Sequence, residues 1–369
     1  MQINTVKNKK ELSEFIDLPW KIYKDYPLWV PPLKEEVKDI LNLKKNPFWE
    51  HAERELFIVK NEGKTIGRVA AIIDQNHNNF HQEKMGFFGF FECMPDYQIA
   101  ELLLNRARNW LKEKGMQNMR GPVNPSMNDE CGFLLEGFDS SPTIMMPYNP
   151  KYYLEFMESY GLKKAKDLFE HIFRKEQEMP QRTVKILKLA KKRAGFVVRP
   201  LDKKNLKRDI QILKDIYNAA WEKNWGFVPM TNKEMDLAAE KMIPFLIPEL
   251  ALFAEKNGEP IGVGVAIPDI NQVLKKLNGR LNLLGILKFL YYKRKITGIR
   301  TLIAGVKKEY RNIGVIGNLL YDGEIVARKL GFDWCEFGWT LEDNDLINRY
   351  VEDIGAETHK KYRIYEMKV

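Results

Sequence analysis

Residues 300–332 change character twice, and few layouts accommodate the order in which they do so. Residues 300–306 (RTLIAGV) form a short apolar run suited to a buried strand. At residues 310–314 (YRNIG) the strand pattern stops. From Val315 onward, Ile316, Leu319, Leu320, Ile325, Val326 and Leu330 recur at spacings near three and four and end at Gly331, which predicts an amphipathic helix with a glycine stop. A strand that turns through a Gly-containing loop into a helix leaves the first-turn N–H groups without partners. The positive end of the helix dipole points the same way, and diphosphates bind such ends.

The rest of the chain repeats one order of elements. The first half reads as a short strand near Val6, helices carrying Leu12, Phe15, Ile16 and Trp20, then Leu33, Val37, Ile40 and Leu41, and a hairpin over 53–59 and 64–73 turning at Asn61-Glu62-Gly63. A strand at 85–92, a helix over 98–114 and a strand at 116–123 follow. The second half opens with a strand at 196–200, helices near 210–224 and 233–243, and a hairpin over 249–255 and 260–267 about Asn257-Gly258. A repeated order without a repeated sequence is what a duplicated fold leaves behind. A chain of 369 residues is also too long for one ordinary core.

The turn at Arg311 and Gly314, with Leu319 and Leu320 on the helix behind it, resembles the acyl-CoA loop of the GNAT superfamily, the Gcn5-related N-acetyltransferases. The family's third loop position, Gly or Ala, is occupied by Ile316, with Gly317 one place later. The resemblance implies an α+β chain of two GNAT-like domains, each a mixed, mostly antiparallel sheet flanked by helices. The expected ranges are residues 1–175, a linker helix at 176–195, and residues 196–369 with an insertion at 268–298. It implies an acetyl-CoA or other acyl-CoA donor held by the second half at Ala304, Gly305, Val306, Arg311, Asn312, Ile313, Gly314, Val315, Ile316, Gly317 and Asn318, with no metal. In the first half the equivalent turn is Cys93, Met94, Pro95, Asp96 and Tyr97, with no glycine and an acidic side chain, so no donor site is expected there.

Acyl transfer to an amine needs a base for the ammonium proton and an acid for the leaving thiolate. Strand 300–306 lacks the carboxylate common in the family, which leaves Glu336 on the next strand and Glu342 just past it as base candidates. The family's next helix begins with an Asn, here Asn344, and ends with a Gly, here Gly355. Its thiolate-protonating tyrosine falls at Val351, with Tyr350 one place early and expected to face the neighbouring side, since one residue is about 100° of helix. None of the five histidines fits a named position, and His359 alone is near the site in sequence.

Several stretches carry other readings. Residues 124–150 are a long irregular connection in which Asp129, Glu130 and Glu136 can touch an amine acceptor or satisfy loop amides. Residues 279–298 (GRLNLLGILKFLYYKRKITG) are apolar with a basic end; the expectation is a helix buried against the second half, with an anionic membrane surface, an acyl carrier protein or a lid role as alternatives. The absence of an apolar N-terminal region and of a membrane-length apolar run leads to an expected cytoplasmic protein with three free thiols. The net charge of +9 suits an anionic cofactor, a membrane surface or a nucleic acid. Three functions therefore stay open: an acyl-CoA-dependent N-acyltransferase acting on a small-molecule or peptide amine, a drifted acyl-CoA or acyl-carrier binding protein, and a peptidyl transferase drawing on aminoacyl-tRNA.

Overall fold

The computed structural model describes residues 1–222 and 224–369, in two compact units. The first gathers Met1–Leu168, Asn271–Tyr292 and Lys360–Val369; the second gathers Phe169–Ile270 and Lys293–His359. Each is α+β, a mixed and mostly antiparallel sheet with helices against it.

In the first unit, strands Gln2–Thr5, Ala52–Asn61, Lys64–Asp74, Met85–Cys93 and Asn118–Gly121 lie side by side in that order. The end of Glu357–Lys368 completes them, antiparallel from Tyr365↔Gly121 to Lys368↔Asn118. Glu62 and Gly63 both take positive φ at the hairpin tip, as a tight two-residue turn requires. Helix Tyr97–Glu113 buries Ile99, Leu103, Leu104, Ala107, Trp110 and Leu111, a stripe at helical spacing. It lies close to the sheet because Gly86 has no side chain: a Cβ there would meet Leu111 Cδ2 at 2.3 Å. Asp96 caps this helix by accepting from Gln98 N at 2.9 Å.

In the second unit the order is the end of Lys163–Arg174, Trp334–Leu341, Gly298–Val306, Glu259–Pro268, Ala251–Lys256 and Phe196–Pro200. Asn257 and Gly258, both with positive φ, turn the hairpin between Ala251–Lys256 and Glu259–Pro268. Helix Leu206–Trp221 lies on one face, and a Cβ on Gly305 would meet Trp221 at 2.6 Å. Helix Val315–Lys329 packs on the other through Val315 and Leu319, in a core with Leu252, Ile261 and Val306. Helices Gln181–Ala194 and Asp345–Asp353 join a further core there, in which Leu187 and Val351 meet Phe173, Phe337 and Ile354. Segment 279–298 departs from expectation. Its helix Leu283–Tyr292 falls in the first unit and leaves most of its leucines exposed instead of buried against the second.

Candidate active site

The site begins where two strands part. Gly298–Val306 pairs in parallel with Trp334–Leu341 only from Gly298↔Trp334 to Thr301↔Phe337. On its other edge the register slips at the same level: Val265 faces Ile303 while Ala266 faces Thr301, so Leu302 is an extra, bulged residue. A bulge bends and twists its strand, which turns the two neighbours away from each other beyond Thr301 and Phe337. They continue to Val306 and Leu341 as the sides of a wedge.

Past the open end of the wedge the chain makes a 3-10 turn, Lys308–Ile313, and enters helix Val315–Lys329 through Gly314 at φ 79. No side chain caps this start. Gly314 suits the position because the left-handed conformation is open to glycine at little cost. The turn is nonetheless covered. A Cβ on Gly314 would meet Ala190 Cβ at 3.0 Å, and one on Gly317 would lie 2.5 Å from Leu187 Cδ2. Asn318 Nδ2 donates to Leu187 O at 3.1 Å and Gly314 O at 2.9 Å, and Lys191 pairs with Asp322 at 2.8 Å. Arg311 Nη2 donates to Ala220 O at 2.9 Å. The glycines and surrounding cations suit a diphosphate, while helix Gln181–Ala194 rests on the face such a group would approach.

Tyr350 corrects one expectation. It faces helix Val315–Lys329: a Cβ on Gly317 would lie 1.8 Å from its Oη. That oxygen is buried, has no hydrogen-bond partner among the described residues, and burial raises its pKa. Val351, where the resemblance puts the family's tyrosine, is core.

At the root of the wedge, one residue before the strands part, Arg300 stands in register with Glu336. Four polar side chains meet here. His359 Nε2 lies 3.0 Å from Glu336 Oε2, Arg300 Nε lies 3.5 Å from Glu170 Oε1, and Arg300 Nη2 donates to Gly338 O at 3.0 Å. Glu170, Glu336 and Arg300 are buried; His359 is partly exposed. Buried charge persists only when paired and hydrogen-bonded; here Arg300 is paired with Glu170 and bonded to the Gly338 carbonyl, and Glu336 is paired with His359. Ligand atoms of Glu170, Glu336 and His359 fall within 4.8 Å of one another, a spacing that can hold a cation. Arg300 already supplies positive charge to Glu170, so a metal ion would compete with it. The imidazole is the one ring nitrogen donor or acceptor of the four, and its contact with Glu336 fixes its orientation. On the opposite face of the sheet His171 bridges Thr340 and Thr358, each at 3.0 Å, and burial lowers its pKa.

An apolar cavity lies beneath helix Val315–Lys329, on the face of the sheet opposite Arg300 and Glu336. Thr301 and Phe337, the last paired residues, line it together with Leu252, Leu319, Ala327 and Phe332, and its empty space is about 610 Å³ including the open mouth. Gly264 and Gly323 widen it; a Cβ on Gly323 would meet nothing nearer than Leu252 Cδ1 at 3.7 Å.

The structure thus gathers Ala304, Gly305 and Val306 on one side of the wedge and Arg311 through Asn318 at the turn beyond it, with Tyr350 against Gly317 and Glu336 at the root. Asn344 is the cap of helix Asp345–Asp353, accepting from Ile347 N at 3.4 Å, and Glu342 lies one residue past its strand. Glu170 and the His359 pairing were not read from the sequence. Their trace is the charged pair Glu170-His171 inside the apolar run Leu168, Phe169, Ile172 and Phe173. Strand alternation sends Glu170 and His171 to opposite faces.

Comparison with known proteins adds the following. No protein-family model matches the chain. Protein YghO of Escherichia coli (strain K12) is 33% identical over 377 residues, spanning 100% of this chain and 95% of that protein. The bacterial ceramide synthase of Caulobacter vibrioides is 32% identical over 375 residues, spanning 99% of this chain and 97% of that protein. Among solved structures, a tandem GNAT protein from the clavulanic acid biosynthesis pathway superposes with a TM-score of 0.57 at 10% identity, over 100% of this chain and 98% of that one. A GCN5-related glucosamine N-acetyltransferase region of a fungal multi-domain GH3 beta-N-acetylglucosaminidase gives 0.59 at 14% identity over 99% of this chain, which spans 38% of that longer protein. Identities this low speak to the fold alone.

Proposed function

The chain is a tandem GNAT protein of the family that includes YghO and the bacterial ceramide synthase, and we propose that it transfers an acyl group from acyl-CoA to the amine of a long-chain amino alcohol. The observation that carries this reading is the Glu336–His359 contact of 3.0 Å at the root of the wedge. It sets a proton acceptor beside the place where strand-end amides can polarise a thioester carbonyl. On this reading His359 takes a proton from the acceptor ammonium, the freed amine forms the C–N bond as the C–S bond breaks, Tyr350 gives the thiolate a proton, and the proton lost by the new amide nitrogen passes to solvent, which reprotonates Tyr350. Glu336 positions the imidazole, beside the Arg300–Glu170 ion pair. The turn from Arg311 to Asn318 receives the diphosphate, and the cavity beneath helix Val315–Lys329 receives the acyl chain. The amino-alcohol acceptor is suggested by the name of the Caulobacter relative, whose product class is an N-acylated long-chain amino alcohol.

A second reading, an acyl-CoA binding protein without turnover, draws on the cover that Leu187 and Ala190 make over Gly317 and Gly314. One assay separates the two. The purified chain is given acyl-CoA with and without a long-chain amino alcohol, and free thiol and amide product are followed together. Amine-dependent release of both, lost in His359→Gln while the fold is kept, supports the transferase. Binding of acyl-CoA with no thiol release across a panel of amines would leave the binding reading in its place.

A further inference from the structure

Helix Leu283–Tyr292 has no place in the reaction above, and its surface is unlike the rest of the molecule. Leu283, Leu284 and Leu287 are 83%, 70% and 64% exposed, and Ile286, Leu290 and Tyr291 are exposed beside them. At about 100° per residue these six side chains cover a continuous arc of about 160°. The other side of the helix is where Gly285 is buried and Phe289 and Tyr292 are half-buried, so this is a seated helix with its apolar face outward. Soluble proteins seldom present such a contiguous patch without an occupant.

The surrounding charge names the occupant. Between Asp269 and Glu309 there is no carboxylate, while Lys275, Lys276, Arg280, Lys288, Lys293, Arg294, Lys295, Arg300, Lys307 and Lys308 all fall in that span. Of these, Arg280, Lys288, Lys293, Arg294 and Lys295 are exposed on or next to the helix. An outward leucine face rimmed by lysine and arginine, with tyrosine at its end, is the pattern of a helix lying in the plane of an anionic bilayer. An acidic protein partner would use the cations and has no need of so broad an apolar arc. Among the described residues no helix is long and apolar enough to cross a membrane, so the contact is interfacial.

We propose that helix Leu283–Tyr292 docks the protein on anionic phospholipid surfaces, through the leucine face and the flanking cations. This stands whatever the acceptor of the reaction.

The test uses the full chain with sedimenting vesicles of phosphatidylcholine alone or with about one third phosphatidylglycerol. Binding is expected only to the anionic vesicles, weakened by salt, and at least about tenfold weaker in the double variant Leu284→Glu/Leu287→Glu. Both side chains are exposed, so the variant is expected to keep its melting temperature and its turnover with a detergent-dispersed acceptor. The proposal is overturned if the wild type ignores anionic vesicles, or if the double variant binds them equally. It is also overturned if an acidic carrier protein is retained where vesicles are not, or if the leucines instead hold together a dimer that the substitutions dissolve.

Discussion

The hydroxyl of Tyr350 rests on Gly317, so close that a methyl group built on that glycine would lie 1.8 Å from the oxygen. The oxygen is buried without a partner among the described residues. An unsatisfied buried hydroxyl costs about 1–3 kcal/mol, so Tyr350→Phe is expected to leave stability unchanged or raise it. If the hydroxyl protonates the leaving thiolate, the same variant loses about 100-fold in turnover. A thermal melt and a thiol-release assay on one preparation check both; a fall in stability with full activity would mark the tyrosine as a packing residue.

Arg311→Glu is expected to weaken acyl-CoA binding strongly and to leave the fold intact. The side chain makes an exposed bond to Ala220 O, whose loss costs about 1 kcal/mol or less. If the turn seats the diphosphate, reversing the charge beside it costs far more. Titration calorimetry with CoA decides the matter: unchanged affinity removes the turn from the donor site.

Gly323→Leu is expected to shorten the acyl chain that is accepted. The nearest atom to an added Cβ is Leu252 Cδ1 at 3.7 Å, so the branch enters the cavity rather than the backbone. Discrimination by a hydrophobic pocket is worth about 10–200-fold per methylene-sized change. The ratio of kcat/KM for long over short acyl-CoA should fall by that order; a ratio equal to wild type would place the chain elsewhere.

Glu92, in the first unit, carries a pH signature. Burial pushes its pKa from 4.5 up to about 7, against the opposing pull of Arg68 and a hydrogen bond from Tyr153 at 2.7 Å. Between these two values the unfolded chain has released the proton and the folded chain retains it. Stability therefore falls as pH rises through that window. The difference amounts to about 3 kcal/mol. Glu92→Gln is expected to flatten this slope, so that the variant gains on the wild type from acid toward neutral pH. Parallel denaturant melts at several pH values would show the two curves converging or, against the expectation, running level.

Most of the fold was legible because hydrophobic periodicity and turn chemistry are local. The Asn257-Gly258 hairpin and the stripe from Leu103 to Leu111 needed no distant partner to be recognised. The helix ending at Gly331 was legible for the same reason. The site was legible only along its own stretch. Glu170 reaches Glu336 from a strand far away in sequence and His359 from the strand after the next helix, and no spacing rule links the three. Tyr350 was misread because its rotation was judged from a pattern whose tyrosine comes one residue later, while helix packing turned it onto a glycine. Leu187 and Ala190 were invisible as neighbours of the turn, since a charged linker pattern does not say what its apolar stripe covers. The Leu283 helix was misplaced for a plainer reason: a run of leucines reads as buried unless something shows what it faces.

The carboxylate of Asp96 closes in the first unit the kind of helix start that Gly314 leaves without a side-chain cap in the second. A fixed negative charge at that spot repels a second one, so no second anion seat is expected there. If the turn at Gly314 seats a nucleotide-bearing thioester, the expected stoichiometry is one per chain and the expected saturation curve a plain hyperbola. Any sigmoidal response would have to originate in self-association or in lipid, not in communication between twin sites.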